Sequence, residues 1–196
     1  MTRTYRALAL TFAFASTTAV AASLHAQQAV LDLDATQTKV DFTLSDVLHT
    51  VHGTFKLKSG SIRFDPATGE ARGTLIVDAT SGASGSNGRD RKMHKNILES
   101  DKYPEITFTP DHFQGHLVAE GDSEIELHGM FAIHGAAHEM VLKTSVHAHG
   151  DQMTATTHFL VPYVQWGMKN PSTLMLRVGD KVDIALQAVG RVHPAP

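Results

Sequence analysis

Thirteen histidines in 196 residues, with no cysteine, are the side chains of this sequence that most invite chemistry. His147 and His149 stand two apart, a spacing that puts both imidazoles on one face of a strand as a candidate zinc or copper pair. His49 with His52, His112 with His116 and His134 with His138 offer further pairs. A closed metal site needs three or four converging ligands, and these spacings do not compose such a set. The alternation around them puts His128, His134, His147 and His149 on a polar face, so they read as solvated surface. No metal and no cofactor is expected.

Other reactive patterns are incomplete. Gly82-Ala83-Ser84 lacks the closing glycine of a nucleophile elbow, and His138-Glu139 is followed by Met140-Val141-Leu142, without a second histidine. Without cysteine there is no thiolate nucleophile, disulfide framework or Cys-containing zinc site. Glu124 and Glu126 alternate on the polar face and read as solubility, not as an acid/base pair. The Gly/Ser-rich stretch 81–88 leads into Arg89 and Arg91 at a predicted helix start, which favours an anion. No Gly-Lys-Ser/Thr closes it as a phosphate loop, and the residues by themselves favour a connecting loop with a capped helix. Seventeen Lys and Arg against twenty Asp and Glu leave no basic surplus for nucleic acid. The expectation is a protein that binds rather than catalyses.

The elements that must position these residues are mostly strands. In 124–134, Ile125, Leu127, Phe131 and Ile133 oppose Glu124, Glu126, His128, Met130 and His134. In 139–149, Met140, Leu142, Thr144 and Val146 oppose Glu139, Lys143, Ser145, His147 and His149. Residues 39–44 and 181–191 alternate in the same way. A period of two with one apolar face is the signature of half-buried antiparallel strands. Asp65-Pro66-Ala67-Thr68-Gly69, Gly121-Asp122 and Gly150-Asp151 supply turns between them. One segment breaks the pattern: Met93, Ile97 and Leu98 recur at helical spacing before Tyr103-Pro104, which predicts one short helix near 88–100.

Residues 1–26 read as an address. Arg3 and Arg6 precede an apolar run and small residues, with cleavage expected after Ala26 and a mature chain of 27–196. Loss of the two arginines takes the formal charge from −3 to −5. No later run is long enough to span a membrane, so the mature chain is expected in the periplasm or medium.

Val77-Asp78 with Ser81, Gly88-Arg89-Asp90, Met93, Leu98, Tyr103-Pro104 and Ile106-Thr107-Phe108 resemble the YceI-like family. Gly53-Thr54-Phe55, the run 62–66, the run 129–135 and the closing strand 182–190 fit the same pattern, so the resemblance covers about 31–192. It implies an all-β, extended antiparallel lipocalin-like barrel of about eight strands. It also implies an exported protein that holds a polyisoprenoid or quinone-type lipid; a homodimer is left open. A His-rich metal-binding or stress-response protein without lipid is the alternative.

The inward positions expected on the barrel wall are Phe42, Leu44, Phe55, Leu75, Val77, Phe108, Ile125, Leu127, Phe131, Ile133, Phe159, Val161, Ile184 and Leu186. By the resemblance they are the ligand-binding residues. Trp166, the single tryptophan, joins them as a residue able to close or line the mouth. Arg89 is the candidate for a polar head group, or else a residue that fixes its own loop. Alternation alone leaves a packed and a hollow interior equally open.

Overall fold

A computed structural model describes residues 28–45, 50–173 and 177–196. The expected leader, and His49 of the first histidine pair, lie outside them. Nine strands form one antiparallel sheet: β1 (Ala29–Leu33), β2 (Lys39–Ser45), β3 (Thr50–Phe64), β4 (Ala71–Ala83), β5 (Glu105–Gly115), β6 (Gly121–Ile133), β7 (Ala136–His149), β8 (Gln152–Val161) and β9 (Val182–Pro194). Pairing of β3 with β4 closes the sheet on itself.

The barrel has eight positions for its nine strands because β1 and β2 share one. β1 pairs with one end of β3 and of β9, and β2 pairs further along both. The break between them is an Asp34 turn. Its carboxylate accepts from the Thr36 amide at 2.7 Å and hydroxyl at 2.6 Å, and from the Gln37 side chain at 2.6 Å. These bonds, led by the Thr36 hydroxyl, hold the Asp34 pKa down at about 2. Asp65 makes the matching turn between β3 and β4, accepting from the Ala67 amide at 2.9 Å. His134 and Gly135, at φ 53° and 78°, form the two-residue turn between β6 and β7.

The helical segment lies between β4 and β5, as its spacing requires. It begins as α1 (Asn87–Lys92) and widens into a π turn over Met93–Leu98, ending at Glu99 in the left-handed region. Among the described residues, no helix is long and apolar enough to cross a membrane.

The long strands pass through two packing regions. Phe64, Ala71, Phe113, Ile125, Val146, Ala148 and Met153 fill one end. Toward the other end a second cluster, including Val40, Leu75, Phe108, Phe131 and Leu142, surrounds open space. The barrel is plugged at one end and hollow at the other.

Candidate ligand cavity

The hollow end encloses a cavity of about 190 Å³, against the ~10–15 Å³ that one water needs. Thirteen of the sixteen candidate residues line it: Phe42, Leu44, Phe55, Leu75, Val77, Phe108, Leu127, Phe131, Ile133, Phe159, Val161, Ile184 and Leu186. The apolar positions of β2 through β9 therefore converge on one space, because every strand is in register with its neighbours and has an outward polar face.

Three candidates lie elsewhere. Ile125 faces inward but belongs to the plugged end, since β6 runs the length of the barrel and its first half packs there. Trp166 packs one layer behind the wall, its ring 5.9 Å from that of Phe131 and stacked on His138 at 3.9 Å and 5°. Arg89 is exposed and points at its own loop: Nε donates to Ser84 Oγ at 2.7 Å and Nη2 to the Ser84 carbonyl at 2.8 Å. Asp90 accepts from the Ser84 amide at 2.9 Å and from its hydroxyl. The Arg-Asp block thus clamps the end of β4 against the start of α1.

His94 ties the same corner. Its Nε2 lies 2.9 Å from the Gly82 carbonyl, which can only accept, so in the neutral ring Nε2 carries the proton. Nδ1 then accepts from the Ser100 hydroxyl at 3.1 Å. Pinned in this way, the π turn places Met93, Ile97 and Leu98 on the cavity as a cap.

Three hydroxyls on the wall are already spent on backbone carbonyls. Thr144 Oγ1 donates to the Leu142 carbonyl at 3.1 Å, and Thr157 Oγ1 to the Lys143 carbonyl at 2.8 Å. Tyr163, from the connection between β8 and β9, donates its hydroxyl to the Gly179 carbonyl at 2.7 Å. Burial, with Asp180 nearby, pushes the Tyr163 pKa up to about 12. A wall of this kind suits hydrocarbon and offers few directed partners to a polar group.

Of the four histidines read as solvated surface, His147 and His149 are exposed and pair with carboxylates, whereas His128 and His134 are half-buried, their Nε2 atoms covered by neighbouring packing. His147 donates from Nδ1 to Asp122 at 2.6 Å, and His149 to Glu120 at 2.7 Å. His112 stacks on His128 at 4.2 Å between ring centres and donates to Asp111 at 2.5 Å. Among the described residues, no three His, Asp or Glu side chains gather as a metal site.

The spacing reading missed several residues here. His138 sits on the inward face opposite Phe131, in step with Met140 and Leu142, so strand parity carried two residues further would have found it. Tyr163 and Met168 line the cavity from a connection with no period to read.

A family model for the YceI-like domain matches residues 31–190. The chain belongs to the YceI-like family. UPF0312 proteins are among its relatives: one from Pseudomonas savastanoi pv. phaseolicola is 28% identical over 125 residues, 62% of this chain and 62% of the relative. Another, from Pseudomonas putida F1, is 27% identical over 152 residues, covering 76% of this chain and 74% of the relative. The match thus spans less than two thirds of the first relative's length. Among solved structures, Burkholderia cenocepacia BcnA superposes with a TM-score of 0.66 at 18% identity, covering 81% of this chain and 99% of BcnA. A polyisoprenoid-binding domain from Saccharophagus degradans, implicated in plant cell wall breakdown, superposes with a TM-score of 0.65 at 19% identity. That superposition covers 85% of this chain and 98% of the domain. At these identities the YceI-like member and its structural relatives share a fold.

Proposed function

We propose that this YceI-like protein is an exported carrier that sequesters the tail of a long apolar lipid, a polyisoprenoid or a quinone-type chain. The observation that carries this reading is the cavity: an apolar wall on which the hydroxyls of Thr144, Thr157 and Tyr163 are spent on backbone carbonyls. Apolar surface removed from water contributes about 25 cal/mol per Å², so a chain threaded along that wall gains affinity without a polar anchor. The likeness in fold to a domain that binds polyisoprenoids supports the same ligand class. The wall presents no nucleophile or acid/base pair, which favours holding over turnover.

Export rests on the basic-then-apolar pattern of residues 1–26. Organic extraction of protein purified from its own host, followed by mass spectrometry, tests the carrier. A polyprenyl species near one per chain supports it; an empty extract counts against it. Amino-terminal sequencing of the same sample tests export, with Gln27 as the expected first residue.

A further inference from the structure

We infer that the apolar chain enters and leaves the cavity sideways, through a seam between β7 and β8 that the Trp166–His138 stack closes. This inference rests on the carrier reading and adds the route. The pairing of β7 with β8 runs from His149–Gln152 to Thr144–Thr157 and stops there. Both strands continue: β7 stays paired with β6 to Ala136, and β8 with β9 to Val161. No described strand takes up the β8-facing edge of residues 136–143. At the hollow end the neighbouring ladders hold. β6 and β7 pair to the turn, β2 and β3 to Ser45–Thr50, and β4 and β5 are extended by the Ala79 amide donating to the Pro104 carbonyl at 2.9 Å.

The last rung is finished off by side chains. Thr144 and Thr157 face each other there, and their hydroxyls take the carbonyls of Leu142 and Lys143. The strands part above that point without stranding those two acceptors. Leu142 on one side of the seam, and Phe159 and Val161 on the other, line the cavity, so the seam leads straight into it.

Its outer lips are apolar. Continuing the register one rung past Leu142 and Phe159 sets Val141 opposite Leu160, and these are 48% and 53% exposed. With Met130 they are the large exposed apolar side chains among the described residues. An apolar track thus leads from solvent to the seam on both strands.

The closure is weaker than the axial cap. His94 and the Lys92 bond to the Pro171 carbonyl, at 3.4 Å, pin the helical segment. Trp166 instead covers the seam by stacking, and it shields His138 Nε2, which has no hydrogen-bond partner. An unpartnered buried nitrogen works against the closed state. Gly167, at φ +90° with open space around it, gives the connection a joint directly after Trp166.

The test measures uptake and release of tritiated geranylgeraniol carried in phosphatidylcholine vesicles, using the whole mature chain. Val141→Lys with Leu160→Lys puts charge on two exposed lips, and should slow both rates by roughly tenfold with unchanged melting temperature and final occupancy. Val141→Cys with Leu160→Cys, in a chain with no other cysteine, should do the same when bridged by a short dithiol-reactive linker and recover when left unbridged. Trp166→Ala should speed release. Rates unchanged in the lysine pair, with the parent taking up the alcohol normally, would overturn the seam and leave the carrier standing. A parent that takes up none would overturn both.

Discussion

Arg89 is bonded twice to Ser84, once to its hydroxyl and once to its carbonyl, while the adjacent Asp90 holds the amide of the same residue. The Arg-Asp block therefore acts in this chain as a clamp between β4 and α1. Arg89→Ala should lower stability by about 1 kcal/mol, since the bonds are charge-assisted but exposed. At this chain length that is roughly 2–4 °C of melting temperature. Ligand retained per folded chain should stay constant. Loss of ligand at full stability would instead place Arg89 on a head group.

The two ends of the barrel should respond oppositely to added bulk. Leu186→Trp projects into the hollow end, and should fold with little change in melting temperature while lowering the extracted lipid. Ala71 is 1% exposed in the plugged end, where Ala71→Leu should cost about 1–3 kcal/mol through overpacking. The fraction still folded should carry its usual lipid. Thermal melts paired with extraction check both.

A salt link between β1 and β9 predicts a pH window. His193 Nε2 donates to Asp32 at 2.9 Å, raising the His193 pKa above the usual 6.5. The Ser61 hydroxyl, then His193, lowers the Asp32 pKa below 3.8. The histidine's contribution is whole below its unfolded value and fades as pH rises through the raised one. The aspartate's is whole above its unfolded value and fades as pH falls through the lowered one. Amide protection in β1, taken relative to intrinsic exchange, should therefore be greatest between about pH 4 and 6.5, and His193→Ala should flatten that maximum.

Tyr163 makes the connection over the cavity sensitive to alkali. Its ordinary pKa of 10 is raised to about 12, so the neutral form favours the fold. That preference is whole below 10 and is lost as pH climbs toward 12. Tyr163→Phe removes the dependence and leaves the Gly179 carbonyl without its donor, at about 1 kcal/mol. Urea titrations of both proteins at neutral and alkaline pH separate the two effects.

Much of this architecture is legible in the period-two pattern. Glu126 and Lys143 sit outward and Leu127 and Leu142 inward, as their neighbours require. What the pattern does not carry is occupancy. Ile125 and Leu127 alternate identically, yet the first packs into a solid end and the second borders a void. That difference depends on which side chains seven other strands deliver at the same height. Strand count blurs for a local reason, since the Asp34 turn splits one barrel position into β1 and β2. His138 is polar on an apolar face, and the ring that makes this tolerable arrives from Trp166, 28 residues later in the chain.

The shared position of β1 and β2 also brings Gln28 and Ala195 side by side. Ala29 pairs with both Phe64 and Pro194, and the Ala195 amide donates to the Gln28 carbonyl at 2.8 Å. Residues 28 and 195 therefore meet at the plugged end, on the far side of its packed side chains from the helical cap. An affinity tag, surface anchor or reporter fused after residue 196, or directly ahead of residue 27 in a protein made without residues 1–26, would leave the hollow end unobstructed. A short linker joining the two would permit new termini elsewhere, so the protein can be permuted as well as immobilised without touching its cargo space.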